Sequence, residues 1–270
     1  NEALLQAGTD LHWVQIYSAG AERCTGLEAM QAGDYVLTNA QRLSSPALAE
    51  TSITMMMMLV RGMDLYYQNQ LKREWQWDVG DPAGTFMELE GRTLLVVGLG
   101  GIGSNVAKRA HGLGMRVIAT RNSRRQGPDY VEYVGLADEL LKLAAEADVV
   151  VNTAPLTDST RGMFDRAFFE AMKETAFFIS VGRGASTVTD DLVAALESGS
   201  IAGAGLDVTD PEPLPPEHVL WGMPRVIITP HTAGRGDHGR NRLFFLVQEN
   251  LKRYVAGEPL LSVVNIERGY

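Results

Sequence analysis

Three side chains have the types and placement to carry chemistry on a small anionic molecule. Arg183 lies in Val181-Gly182-Arg183-Gly184, Glu212 lies in a proline-rich segment after Asp207, and His231 directly follows Thr229-Pro230. An arginine offers a planar fork of donors suited to carboxylate oxygens. A histidine is the side chain that gains or loses a proton near neutral pH, and a carboxylate is the usual group that orients it. Taken singly, each has a bland reading: a surface arginine, a loop glutamate, a hydrogen-bonded histidine. What raises them is that each follows a strand-like run, so that topology gathers them at the carboxyl ends of one sheet. His12, His111, His218 and His238 lack that placement.

The elements that must position these residues are readable from residue 91 onward. Strand-like runs fall at 94–97, 116–119, 149–152, 176–180, 202–206 and 226–229. Helical patterns fall between them at 104–113, 137–146, 165–172 and 190–197. Near-continuous apolar strands joined by helices predict a doubly wound parallel α/β sheet with both faces covered. The first of these strands runs straight into Gly98, Gly100 and Gly103, and an amphipathic helix follows. Strand, G-x-G-x-x-G and helix in that order are what a dinucleotide pyrophosphate requires: a tight turn, close backbone approach and a helix N-terminus facing the charge. About 20 residues on, an NAD-binding chain places an acid for the ribose. Here the segment reads Arg121-Asn122-Ser123-Arg124-Arg125. Two guanidinium groups with a hydroxyl between them suit the 2′-phosphate of NADP, with NAD as the lesser cofactor.

Composition narrows the partners. A formal net charge of -9 over 270 residues disfavours a nucleic-acid partner and points to a small molecule. One cysteine, Cys24, leaves no internal disulfide and no C-x-x-C for a metal, so no metal and a cytoplasmic location are expected. The longest apolar run, 55–60, is too short to span a bilayer, so no membrane partner is expected. Ahead of the sheet, 11–17 and 36–39 read as short strands. Ser18-Ala19-Gly20 is a small-residue turn whose N–H groups could face an anion. A long helix is predicted from Ser45-Pro46 to about Lys72, with Met55 to Met58 as core packing. A turn follows at Gly80-Asp81-Pro82, and a last amphipathic helix covers 241–254.

Five stretches together carry a resemblance to the D-isomer-specific 2-hydroxyacid dehydrogenase family, in its glyoxylate/hydroxypyruvate reductase-like, NADP-preferring form. They are VVGLGGIG (96–103), VVNTAPLT (150–157), FISVGRGASTVTDDLVAAL (178–196), IAGAGLDVTDPEPLP (201–215) and LWGMPRVIITPHTAG (220–234). The resemblance implies that Arg183, Glu212 and His231 are catalytic. It implies a cofactor lining of Gly98, Gly100, Gly101, Ile102, Gly103, Arg121, Asn122, Ser123, Arg124, Thr153, Ala154, Pro155, Val181, Gly182, Arg183, Asp207, His231, Ala233 and Gly234. It also implies that Ser18, Ala19 and Gly20 bind the substrate carboxylate beside Arg183 and His231. A Rossmann cofactor domain at 71–237 is implied, with a smaller flavodoxin-like α/β substrate domain from 1–70 and 238–270. The family's first strand–helix unit, which precedes the strand at Trp13, is expected to be lacking here. A homodimer is expected.

The implied reaction is hydride transfer between NADP(H) and a small 2-keto or 2-hydroxy acid, D-isomer specific. His231 would protonate the forming alkoxide, Arg183 would hold the carboxylate and carbonyl oxygens, and Glu212 would orient His231. The alternative is a dinucleotide-sensing, corepressor-like binding protein of the same fold.

Overall fold

The computed structural model describes residues 2–8, 10–33, 35–81, 85–122 and 124–266, apart from the side chains of Leu4 and Glu22. Pro82 of the expected turn and Ser123 of the expected cofactor lining lie outside the described residues. The chain forms two compact units, one running up to Ser45 and resuming at Gly234, the other Pro46–Ala233.

The smaller unit holds α1 (Glu2–Ala7), β1 (Trp13–Gln15), α2 (Glu22–Thr25), α3 (Glu28–Ala32) and β2 (Val36–Thr38). β1 and β2 pair in parallel, Trp13 opposite Val36. Leu5, Met30, Leu37 and Val264 form its core. The larger unit begins with α4 (Ser45–Val60) and α5 (Met63–Lys72). There follow β3 (Thr93–Val97), α6 (Gly101–Gly112), β4 (Arg116–Thr120), β5 (Tyr133–Gly135), α7 (Leu140–Glu146) and β6 (Val149–Asn152). α8 (Arg166–Ala171), β7 (Phe177–Ser180), α9 (Thr189–Ser198), β8 (Gly203–Leu206) and β9 (Val226–Ile228) complete it. α10 (Gly239–Ala256) belongs to the smaller unit, where Tyr254 stacks on Trp13 at 5.4 Å.

Among the described residues, seven parallel strands run in the order β5-β4-β3-β6-β7-β8-β9. The order reverses between β3 and β6, and strand ends at such a switch point open a crevice for a ligand. Because successive side chains of a strand point to opposite faces, Leu94 and Val96 of β3 pack against α4 and α6. Leu95 and Val97 face the other layer, with Phe164, Phe168 and Phe178. Burying each such side chain stabilises the fold by roughly 1.5–3 kcal/mol.

The helix expected from Ser45 to Lys72 is two helices. Gly62, at φ +64°, turns the chain between them. Met55, Met56, Leu59 and Val60 of α4 are buried in the sheet's own core, which draws residues 46–60 into the larger unit. The compact units therefore part at 45/46 and 233/234, rather than near 70 and 238. β5, which no periodic signal announced, is only three residues long.

A largely shielded ion pair fastens α5 to the sheet. Arg225, at φ +58° just ahead of β9, lies 2.6 Å from Asp64 and sits over the rings of Phe86 and Phe177 at 5.6 and 5.3 Å. Burial pushes the Asp64 carboxyl up and the Arg225 guanidinium down, and each partner's charge opposes the shift of the other.

Candidate active site

The glycine turn joins β3 to α6, and its three glycines serve different ends. Gly98, at φ +93°, is so close to the end of β6 that a Cβ on it would lie 2.9 Å from Ala154 Cα. A Cβ on Gly103 would collide with the Gly98 carbonyl and lie 2.8 Å from Thr153 Oγ1. At Gly100 nothing lies within 4 Å of that position, so this glycine leaves open space at the helix N-terminus. Gly101 and Ile102 form the first turn of α6. Thr153 Oγ1 donates to the Gly98 carbonyl at 2.6 Å, tying the end of β6 to the glycine turn.

At the end of β4, Arg121 donates through Nε to the Leu99 carbonyl at 3.1 Å and through Nη1 to the Gln126 carbonyl at 2.7 Å. Asn122 and Arg124 are exposed. Arg125 pairs with Glu139, which also accepts from the Tyr133 hydroxyl at 2.6 Å and the Leu136 N–H at 2.9 Å. The Tyr133 hydroxyl first, then the Leu136 N–H, hold the Glu139 carboxyl down to about 2.

Past β7, Val181 is buried and Arg183 is half-buried, its Nη1 donating to the Gly182 carbonyl at 2.9 Å. The glycines that flank Arg183 serve close packing of the backbone. A Cβ on Gly182 would lie 2.8 Å from the Ala154 carbonyl oxygen, and one on Gly184 would collide with the Thr209 carbonyl. They let three backbone segments press together around Arg183. Pro155 is exposed, and its carbonyl accepts from Thr160 Oγ1 at 2.7 Å.

Glu212 and His231 are brought together: His231 Nδ1 lies 2.6 Å from Glu212 Oε1, and both side chains are roughly half exposed, at 46% and 43%. His231 takes φ +52°, an uncommon conformation for a residue with a Cβ. Asp207, at the end of β8, holds it there. The His231 N–H donates to the Asp207 carbonyl at 2.8 Å. Asp207 Oδ1 accepts from Thr229 Oγ1 at 2.6 Å, Thr232 N–H at 2.8 Å and Ala233 N–H at 3.0 Å. Its Oδ2 is buried and has no hydrogen-bond partner among the described residues. An acceptor in that state calls for a donor from outside the chain.

Gly234, Ser18, Ala19 and Gly20 belong to the smaller unit. There the Ser18–Gly20 turn is held by its oxygens: the Ser18 carbonyl accepts from Ala40 N–H at 2.9 Å and the Ala19 carbonyl from Asn39 Nδ2 at 2.6 Å. Asn152 and Ser186, fully buried beside Arg183, were not singled out in the sequence. Their one signal is a polar residue, Asn152, closing an otherwise apolar strand, repeated by Ser180 at the end of the next.

Comparison with known proteins places this arrangement. The family model for the D-isomer specific 2-hydroxyacid dehydrogenase NAD binding domain matches residues 53–233. A glyoxylate reductase of Korarchaeum cryptofilum is 34% identical over 269 residues, covering 98% of this chain and 79% of that protein. The human glyoxylate reductase/hydroxypyruvate reductase is 37% identical over 174 residues, 64% of this chain and 53% of its own. Among solved structures, a probable 2-hydroxyacid dehydrogenase from Rhizobium etli, in complex with NADP, HEPES and L(+)-tartaric acid, superposes with a TM-score of 0.87 at 29% identity, covering 100% of this chain and 83% of that one. An NADPH-dependent glyoxylate/hydroxypyruvate reductase from Sinorhizobium meliloti gives 0.83 at 28%, covering 98% and 89%. With a glycine turn at the sheet's switch point and a histidine–glutamate pair at the end of its last strand, the chain belongs to the D-isomer specific 2-hydroxyacid dehydrogenase family, and it is an NAD(P)-dependent oxidoreductase acting on CH–OH donors.

Proposed function

We propose that the protein reduces a small 2-keto acid of the glyoxylate and hydroxypyruvate class to its D-2-hydroxy acid with NADPH, and that Arg183, Glu212 and His231 are its catalytic residues. The observation that carries this is the 2.6 Å contact between His231 Nδ1 and Glu212. With Nδ1–H donated to that carboxylate, the proton to be transferred sits on Nε2, in a half-exposed imidazole. Arg183 would hold the carboxylate and carbonyl oxygens, polarising the bond that is reduced and fixing its direction.

The dinucleotide, when bound, supplies the hydride. The residues present fit it. Asp207 Oδ2 is a buried acceptor suited to an amide donor such as the nicotinamide carboxamide. Gly98, Gly100, Gly101, Ile102 and Gly103 would take the pyrophosphate at the start of α6. Arg121, Asn122 and Arg124 would read the 2′-phosphate. Thr153, Ala154, Pro155, Val181, Gly182, Ala233 and Gly234 complete the assigned lining. The larger unit is then the cofactor domain and the smaller the substrate domain, with Ser18, Ala19 and Gly20 offering N–H groups to a carboxylate.

NADPH oxidation with glyoxylate, hydroxypyruvate and bulkier keto acids tests the reading. Turnover is expected with the small acids and a loss of about 10²–10⁴-fold in His231→Asn. Unchanged turnover in that variant overturns the role of His231.

We also infer a homodimer, in the cytoplasm. The support for association is α5 and the segment after it: α5 has no buried residue, and Trp75 and Trp77 are 89% and 87% exposed beside a groove of about 580 Å³ lined by Tyr66, Arg73 and both tryptophans. Exposed apolar surface of this kind marks association sites. Trp75→Ser with Trp77→Ser should shift the species in analytical ultracentrifugation from dimer to monomer; an unshifted dimer places the interface elsewhere.

A further inference from the structure

We infer that Asn152 and Ser186 are positioning residues for Arg183, and that they act by fixing its main chain. The inference rests on the assignment of Arg183 to the substrate. Asn152 ends β6 directly opposite Ser180 of β7. Its Nδ2 donates one proton to Ser180 Oγ at 3.1 Å and the other to Ser186 Oγ at 2.9 Å. Its Oδ1 accepts from the Ala154 N–H at 3.0 Å, and its carbonyl from the Val181 N–H at 3.1 Å. Ser186, with its acceptor role taken by Asn152, donates its own proton to the Arg183 carbonyl at 2.6 Å. The same carbonyl accepts the Ser186 N–H at 3.2 Å. The result is a directed chain, amide to hydroxyl to carbonyl, ending on the backbone of the residue that would grip the substrate.

Asn152, Ser180 and Ser186 are all buried, so each missing partner would leave a desolvated polar atom. The turn has no room to relax into another arrangement. Gly182 is pressed against the Ala154 carbonyl, and Gly184 against the Thr209 carbonyl. On the far side the Gly162 N–H bonds the Ala185 carbonyl at 3.0 Å and the Phe164 N–H bonds the Ser186 carbonyl at 3.0 Å. A guanidinium that must meet two oxygens in one orientation gains from this restraint, since a misplacement of about 1 Å can cost ~10²-fold in rate. Asn152 also holds the Ala154 N–H, in the assigned cofactor lining, whereas the Ser186 hydroxyl bonds Asn152 and the Arg183 carbonyl and reaches neither Ala154 nor Val181 directly. Ser186 is therefore the residue that separates the two effects.

The test is a double-mutant cycle on kcat/KM for glyoxylate, with NADPH affinity measured separately by fluorescence titration. Ser186→Ala is expected to raise the keto-acid KM and lower kcat/KM by ~10- to 100-fold, with NADPH affinity unchanged and Ser186→Cys recovering part of the loss. In an Arg183→Lys background, which keeps the positive charge but not the planar fork, Ser186→Ala should have almost no further effect. Equal losses in both backgrounds, or a loss of NADPH affinity that tracks the loss of activity, would show a merely structural role and overturn the inference. Should Ser186→Ala fail to fold, Ser186→Cys carries the same cycle with the same criteria. If Arg183→Lys by itself leaves kcat/KM intact, the assignment of Arg183 falls and this inference with it; a loss in Arg183→Lys with an additive Ser186→Ala removes this inference alone.

Discussion

The ends of β4 and β7 lie in one sheet and each presents an arginine just past the strand, yet they are built differently. Around Arg183 the backbone is held by two buried side chains and by glycines that let three segments pack closely. Around Arg121 the neighbours Asn122 and Arg124 are exposed, and the arginine itself does the holding, through the Leu99 and Gln126 carbonyls. One guanidinium is placed by the fold, and the other helps to place its own loop. On the roles proposed for them, the group that must match reacting atoms is the one set in buried structure, and the group that would read a charge at the rim of a ligand is left to side-chain choice. Activity should then be brittle at β7 and cofactor preference plastic at β4.

The largest effect should come at β7. Arg183→Ala is expected to lower kcat/KM for small keto acids by about 10²–10³-fold, as for a lost oxyanion donor, while thermal melts stay close to the wild type. A variant that kept its activity would erase the distinction between the two ends. At β4, Arg121→Asp should weaken NADPH far more than NADH, by ~10- to 100-fold from a lost charge-assisted hydrogen bond, and leave kcat with NADH largely intact. An unchanged NADPH/NADH ratio would mean that Arg121 serves only the loop.

The smallest effect belongs to Glu139, which braces the β4 side through Arg125 and Tyr133. Its carboxyl is lowered on folding, so its contribution is fully present above the ordinary carboxylate range and is lost as pH falls from the usual 4.5 toward about 2. The melting-temperature gap between wild type and Glu139→Gln should therefore be present near neutrality and close in acid. A gap that did not change with pH would sink this account.

The glycine turn, six of the seven strands described in the larger sheet and His231 were legible because each has a local signature: an apolar run, a G-x-G-x-x-G, or a polar residue just past a strand; the pairing of His231 with Glu212 came from the family resemblance. What was not legible depends on register and on distance along the chain. Asn152 and Ser186 meet only because β6 pairs with β7. Asp64 and Arg225 meet across 161 positions. Gly62 breaks a helix whose apolar spacing ran on past it. Gly182 and Gly184 look like flexible neighbours of Arg183, and their task appears only with the Ala154 and Thr209 carbonyls that face them. Trp75 and Trp77 gave no hint in the sequence of how exposed they are.

The pairing of Arg225 with Asp64 carries a consequence in heat. Ions lose favourable hydration as water warms, because ordering solvent around them is entropically costly, so the penalty for keeping this pair largely out of water shrinks with temperature. The attraction across 2.6 Å persists, held by a guanidinium that sits over two phenyl rings. On warming, the fastening of α5 to the edge of the sheet therefore counts for more relative to apolar packing, and this corner should be among the last parts of the larger unit to loosen.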